Sequence, residues 1–103
     1  MKKFYWKGIC NENRNLDISE IEDIINKDGY IIQFKFFSDI MMSLVIEIEE
    51  VRIEKLFENL KQKIRLTSDT ENHRSVSNKD AQILLSVTFS KSTGNLKIEV
   101  PAV

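Results

Sequence analysis

His73 is the only imidazole of the 103-residue chain and Cys10 its only thiol, so the residues able to carry nucleophilic or metal chemistry are few. A nucleophilic site needs a nucleophile, a base and a group that orients the base, all converging in space. His73 stands in a polar stretch, Thr67 to Asp80, made of Ser, Thr, Asn and charged residues with Val76 as its one aliphatic. A solvated loop imidazole is expected from such a stretch, not a buried base. Asp69, Glu71, His73 and Asp80 bring oxygen and nitrogen donors close together in sequence, but their spacing fits no defined metal site. The three glycines, at 8, 29 and 94, supply no phosphate-cradling loop. A single cysteine makes neither an internal disulfide nor a CxxC metal-carrying pair. The expectation is a domain that is not an enzyme and holds no cofactor and no metal.

Composition narrows the partners. Fifteen basic and 16 acidic side chains leave a net charge of −1, which offers no bulk attraction to nucleic acid or to anionic lipid. Hydrophobic residues at 42% and charged residues at 30% describe an ordinary globular composition, and the length suits one domain over 1–103. With no basic-then-apolar leader and no apolar run approaching about 18 residues, the chain reads as cytoplasmic and not membrane-spanning. Charge is uneven locally: Asp17 to Asp28 has five acids against Lys27, and Arg52 to Arg65 has five bases against Glu54 and Glu58. The two segments would complement each other as neighbours, although two solvated faces are the preferred reading.

The elements that must position any site follow from periodicity. Residues 2–10, KKFYWKGIC, read as a strand with Phe4, Trp6, Gly8 and Cys10 on one face and Tyr5, Lys7 and Ile9 on the other. Asp17, with Glu20 three residues later, reads as the N-cap of a helix lined by Ile18, Ile21, Ile24 and Ile25, and Gly29 as the left-handed residue that ends it. Two strands follow around a Ser38-Asp39-Ile40 break. Their apolar faces are the even positions: Tyr30, Ile32, Phe34 and Phe36, then Met42, Leu44, Ile46 and Ile48. Val51 to Ile64 gives a second helix with Ile53, Leu56, Phe57, Leu60 and Ile64 facing the sheet. Thr67 to Asp80 is expected to be a flexible connection. Ala81 to Ser90 resumes as a strand, and Gly94 turns the chain into a last strand, Leu96 to Val100.

Strand, helix, strand, strand, helix, strand is the ferredoxin-like βαββαβ order, an α+β domain with two helices on one face of an antiparallel sheet, here with an extra C-terminal strand. The stretch LDISEIEDIINKDGYIIQFKFFSDIMMSLVIEIE, with an Ile-rich helix ending at a glycine before the second strand, resembles an ACT domain, and the likeness spans residues 3–64. Asn11-Glu12-Asn13-Arg14-Asn15 stands where that family usually has an Asp-Arg-Pro-Gly-like turn. The resemblance implies a regulatory homodimer that binds a small molecule beside the Cys10 to Asp17 turn, with Cys10, Asn11, Asn13 and Arg14 as candidate ligand contacts.

The same topology serves RNA-binding domains, in which aromatics on the central strands stack bases. Tyr5, Lys7, Lys35 and Phe37 would suit such a platform. The strand MMSLVIEIE has no aromatic and presents Glu47 and Glu49 there, so nucleic acid is not expected. A mixed open face remains, with Tyr5, Phe37, Val45 and Leu84 as its candidate interface residues, and apolar patches of that kind mark interaction surfaces. Two readings stand: a homodimeric ligand-binding module, and a module that docks a protein partner through the open face or the C-terminal edge strand.

Overall fold

The computed structural model describes residues 1–10, 14–68 and 77–89, with backbone only over 14–17. In order, the elements are β1 (Lys2–Cys10), α1 (Arg14–Asp28), β2 (Gly29–Ser38), β3 (Met41–Glu49), a 3-10 turn (Glu50–Arg52), α2 (Ile53–Lys61), β4 (Arg65–Ser68) and β5 (Asp80–Phe89). The fold is α+β. Its five strands form one sheet in the order β2-β3-β5-β1-β4. All neighbours are antiparallel except β1 and β5, which run parallel over nine paired positions from Lys2↔Ala81 to Cys10↔Phe89.

Alternation in β1, β3 and β5 puts one face of each strand in the core. Trp6 and Cys10, Met42 to Ile48 at even positions, and Ala81, Ile83, Leu85, Val87 and Phe89 are all buried. Against them lie Ile21 and Ile25 of α1 and Ile53, Leu56 and Leu60 of α2 in a single cluster, so both helices cover the same face. Phe57 is only partly buried, at the margin of that cluster, where its ring meets the Trp6 ring edge-on at 5.1 Å. The helices run antiparallel and are linked by charge at two places, the end of α1 and its middle. Asp28 Oδ1 lies 3.7 Å from Arg52 Nη1 and 4.0 Å from Lys55 Nζ, while Glu20 Oε2 lies 3.1 Å from Lys63 Nζ. The acidic and basic segments are therefore neighbours and not two independently solvated faces.

Several local expectations change. α1 starts at Arg14, so Asp17 lies inside the helix and does not cap it. Gly29 has no positive φ. It is the first residue of β2, and glycine is needed because a Cβ there would sit 2.8 Å from the Glu47 carbonyl oxygen and 3.1 Å from Ile48 Cβ. The helix thus passes into the strand with no intervening residue. In β2, the register shifts between Ile31 and Gln33 and again between Phe36 and Ser38. Ile31 opposes Ile46 and Phe34 opposes Leu44, while Tyr30 opposes Glu47. A bulge adds one residue and exchanges the faces, which is why Tyr30 and Ile32 are exposed instead of continuing the Phe34 side.

α2 is shorter than its periodicity suggested, with a 3-10 turn before it and Ile64 buried in the turn after it. The expected connection from Thr67 to Asp80 also gives way in part. Thr67 and Ser68 belong to β4, which pairs antiparallel with β1. Ser77 and Lys79 accept backbone hydrogen bonds from the Val51 N–H at 3.0 Å and the Glu50 N–H at 2.9 Å. Among the described residues, the strand beyond the four expected there is β4. The expected strand at 96–100 lies outside the described residues, as do 69–76.

Gly29→Ala is expected to cost about 1–3 kcal/mol, because its Cβ meets backbone that cannot move without shifting the β2–β3 ladder. Gly8→Ala is expected to cost less. There the nearest atom is Ile64 Cδ1 at 2.6 Å, the far end of a side chain able to change rotamer. Urea midpoints of the two variants check the order, and a milder Gly29 variant would mean that the junction tolerates a side chain.

Candidate functional site

The uncovered face of the sheet can be read rung by rung from the strand registers. Lys3, Gln82, Glu47 and Tyr30 form one rung across β1, β5, β3 and β2. Tyr5, Leu84, Val45 and Gln33 form the next, followed by Lys7, Ser86, Ser43 and Lys35. Beyond the first rung Glu49 opposes Asp80, and beyond the third Ile9, Thr88 and Met41 line up. This face is therefore banded. Carboxylates gather at one end, an apolar rung crosses the middle, and Lys7 and Lys35 lie on the far side, with Arg65 of β4 opposite Ile9.

Tyr5, Phe37, Val45 and Leu84, expected from the sequence to share a surface, all line one shallow groove of about 310 Å³ with Lys7, Ser43 and Ser86. Phe37 reaches it through the second β2 irregularity and is 61% exposed, with Lys35 Nζ 5.7 Å from its ring centre. A cation over an aromatic face at that range is a favourable contact of about 0.5–1 kcal/mol at an exposed site. Tyr5 is 45% exposed, and Val45 and Leu84 are half-buried between their neighbours.

The expected ligand contacts beside the first turn do not assemble. Cys10 is 2% exposed and faces the core, since it is the last even position of a strand whose even positions point inward. Arg14 enters as the first residue of α1. Asn11 and Asn13 lie outside the described residues, as do His73, Asp69 and Glu71. Among the described residues no group of three or more His, Cys, Asp or Glu is placed to hold a metal ion. No helix among them is long and apolar enough to cross a membrane.

A second concavity, of about 480 Å³, opens where α1 passes into β2. Asp28, Gly29, Tyr30, Glu47, Glu49, Arg52 and Asp80 line it, together with Asn26, Lys27 and Ile48. Sequence reading gave no sign of it, because an aspartate at the end of an acidic helix looks solvated. The Asp28 side chain is in fact 2% exposed. Arg52 bridges the site, with Nε donating to Glu49 Oε1 at 3.2 Å.

Compared with protein-family models, with curated proteins and with solved structures, the chain matches none.

Phe37→Ser is expected to leave stability within about 0.5 kcal/mol of wild type, as for a surface substitution. Leu85→Ala, one position along β5 from Leu84 but on the buried face, is expected to cost about 2–5 kcal/mol. Thermal melts of both variants test whether the two sheet faces are divided as described.

Proposed function

We propose that the chain is a non-enzymatic association module whose open sheet face packs against the same face of a second copy. The observation that carries this reading is the banding of that face. An isologous contact about a two-fold axis lying along the Tyr5-Leu84-Val45-Gln33 rung reverses the strand direction of the second copy. The Lys3-Gln82-Glu47-Tyr30 rung of one copy then lies over the Lys7-Ser86-Ser43-Lys35 rung of the other, which sets Glu47 beside Lys35, while the apolar rung meets itself. Lys3 of one copy then faces Lys7 of the other, and Glu49 and Asp80 face Met41 and Thr88, so Glu47 with Lys35 is the favourable charge pair of the contact.

The exposed apolar side chains supply the drive. Tyr5, Ile9, Phe37 and Met41 are each more than a third exposed on or beside this face, and covering such surface contributes about 25 cal/mol per Å² before the costs of association. The charge bands fix orientation more than strength. The ferredoxin-like reading of the domain belongs with this proposal: two helices cover one face of the sheet and leave the other for association. A regulatory, ACT-like role rests on the same arrangement, with assembly as the event regulated. Docking of a different protein on the face is the competing reading, and no particular feature favours it.

Light scattering at micromolar concentration should give a mass near twice 12.0 kDa; a mass near 12.0 kDa at all concentrations overturns the proposal. Val45→Lys places an uncompensated charge in the apolar rung and is expected to give monomer without loss of fold. Lys35→Glu is expected to weaken the dimer, and the Lys35→Glu, Glu47→Lys double variant to recover it. A dimer indifferent to all three moves the contact away from this face.

A further inference from the structure

The groove in the middle of the open face joins an apolar floor to a polar, basic border. Tyr5, Leu84 and Val45 make the floor, and two residues further along each strand, roughly 7 Å away, Ser86 and Ser43 stand side by side between Lys7 and Lys35. Among the described residues that line the groove, Lys7 is the one formal charge, and none is a carboxylate. Lys7 is exposed, and Ser43 and Ser86 are half-buried on the same face, so all three are open to a molecule seated there. Phe37, 61% exposed, lines the groove as well, with Lys35 Nζ 5.7 Å from its ring centre.

Self-association leaves the Lys7 charge without an anion. In the proposed contact Lys7 faces Lys3 of the second copy, and like charges brought together are unfavourable. On the free face the same ammonium stands beside two hydroxyl donors and an apolar surface. That combination matches a molecule with one negative end and one apolar end.

We infer that the groove binds a small amphipathic carboxylate, its head accepting from Lys7 and from the Ser43 and Ser86 hydroxyls, and its apolar tail lying over Tyr5, Leu84 and Val45 beside Phe37. The volume of about 310 Å³ is at the lower end of small-molecule sites, which suits a short chain or a single ring. A charge-assisted hydrogen bond is stronger than a neutral one, and one lining cation balances one negative charge. A phosphate head is a poorer match, since the described lining has neither an arginine fork nor a helix N-terminus. The regulatory part of the inference rests on the self-association reading: tail and second copy cover the same floor, so the ligand dissociates the dimer.

The probe is sodium octanoate, titrated into the 15N-labelled chain and followed by the amide resonances of Ser43, Val45, Leu84 and Ser86, with light scattering on the same samples. Sodium acetate supplies the head alone and 1-octanol the tail alone. Octanoate is expected to give saturable shifts at those amides, octanol to bind several-fold more weakly, and acetate not to bind. As the groove fills, the mass should fall from twice 12.0 kDa to 12.0 kDa. Lys7→Gln should weaken octanoate binding about fivefold more than Lys3→Gln, the loss of one charge-assisted hydrogen bond; Lys3→Gln relieves the same repulsion between copies without touching the groove. Shifts that do not saturate, that acetate or octanol reproduces at equal affinity, or that weaken equally in the two variants overturn the site and leave the dimer reading standing. A dimer that persists with the groove saturated overturns the competition. A chain of 12.0 kDa without ligand overturns self-association and the regulation with it, while saturable octanoate shifts still establish the site.

Discussion

The fold depends on β5 being paired along both of its edges. Nine of its residues register with β1 and nine with β3, and its inward positions Ala81, Ile83, Leu85, Val87 and Phe89 have no exposure. Among the described residues, β5 is the strand that joins the two halves of the sheet. On one side stand β2 and β3, on the other β1 and β4, and each half contributes core residues only because β5 holds them in one plane. Most of the contacts that define the structure are consequently distant in sequence, and their loop-closure cost must be met before burial rewards it. The Phe89 N–H donating to the Ile40 carbonyl at 2.8 Å also fastens the far end of β5 to the β2–β3 turn.

Charge works on this frame at two places, in two ways. Asp28 at the end of α1 pairs with Arg52 and Lys55 at the start of α2, and Glu20 in the middle of α1 pairs with Lys63 just past α2. The exposed members of such pairs contribute little alone, but two well-separated pairs fix the direction in which one helix lies on the other. At the end of the sheet beside the α1–β2 junction, acids and bases crowd together, Asp28, Glu47, Glu49, Glu50 and Asp80 with Lys2, Lys27, Arg52 and Lys55. Lys2 reaches the largely buried Glu50 at 3.4 Å, and Arg52 serves both Glu49 and Asp28. The domain thus uses charge both to align its helices and to bind the end of α1 to the sheet where α1, β2, β3 and β5 meet.

What the sequence discloses and what it hides have separate physical causes. β1, β3 and β5 each keep one face apolar, clearly in β3 and β5 and more weakly in β1, and their burial alternates accordingly; hence Tyr5, Val45 and Leu84 were expected on the other surface. α2 shows its Ile53, Leu56 and Leu60 stripe for the same reason. β2 defeats this reading because aromatic and aliphatic residues occupy every even position through Phe36, and nothing in the run marks Ile32 as the residue where the register slips. β4 has two inward positions, Leu66 and Ser68, and only Leu66 is apolar, too little for a period to appear. Gly29 was legible as a required glycine but for the wrong cause, since a close backbone approach and a left-handed turn demand the same residue type. The burial of Asp28 depends on α2 folding over it, a tertiary event with no local trace.

The two outer strands of the sheet bear on how copies of this chain can meet. β2 is irregular near Ile32 and again near Phe37, and β4 offers four residues of ladder, with Arg65 and Thr67 exposed. A kinked ladder on one flank and a stub on the other are poor templates for a further strand. Growth by adding sheet to sheet in one plane, the route to open-ended fibres, is obstructed at both flanks. In the proposed contact through the broad face, the surface is used up when two copies meet, so that assembly would close and not extend.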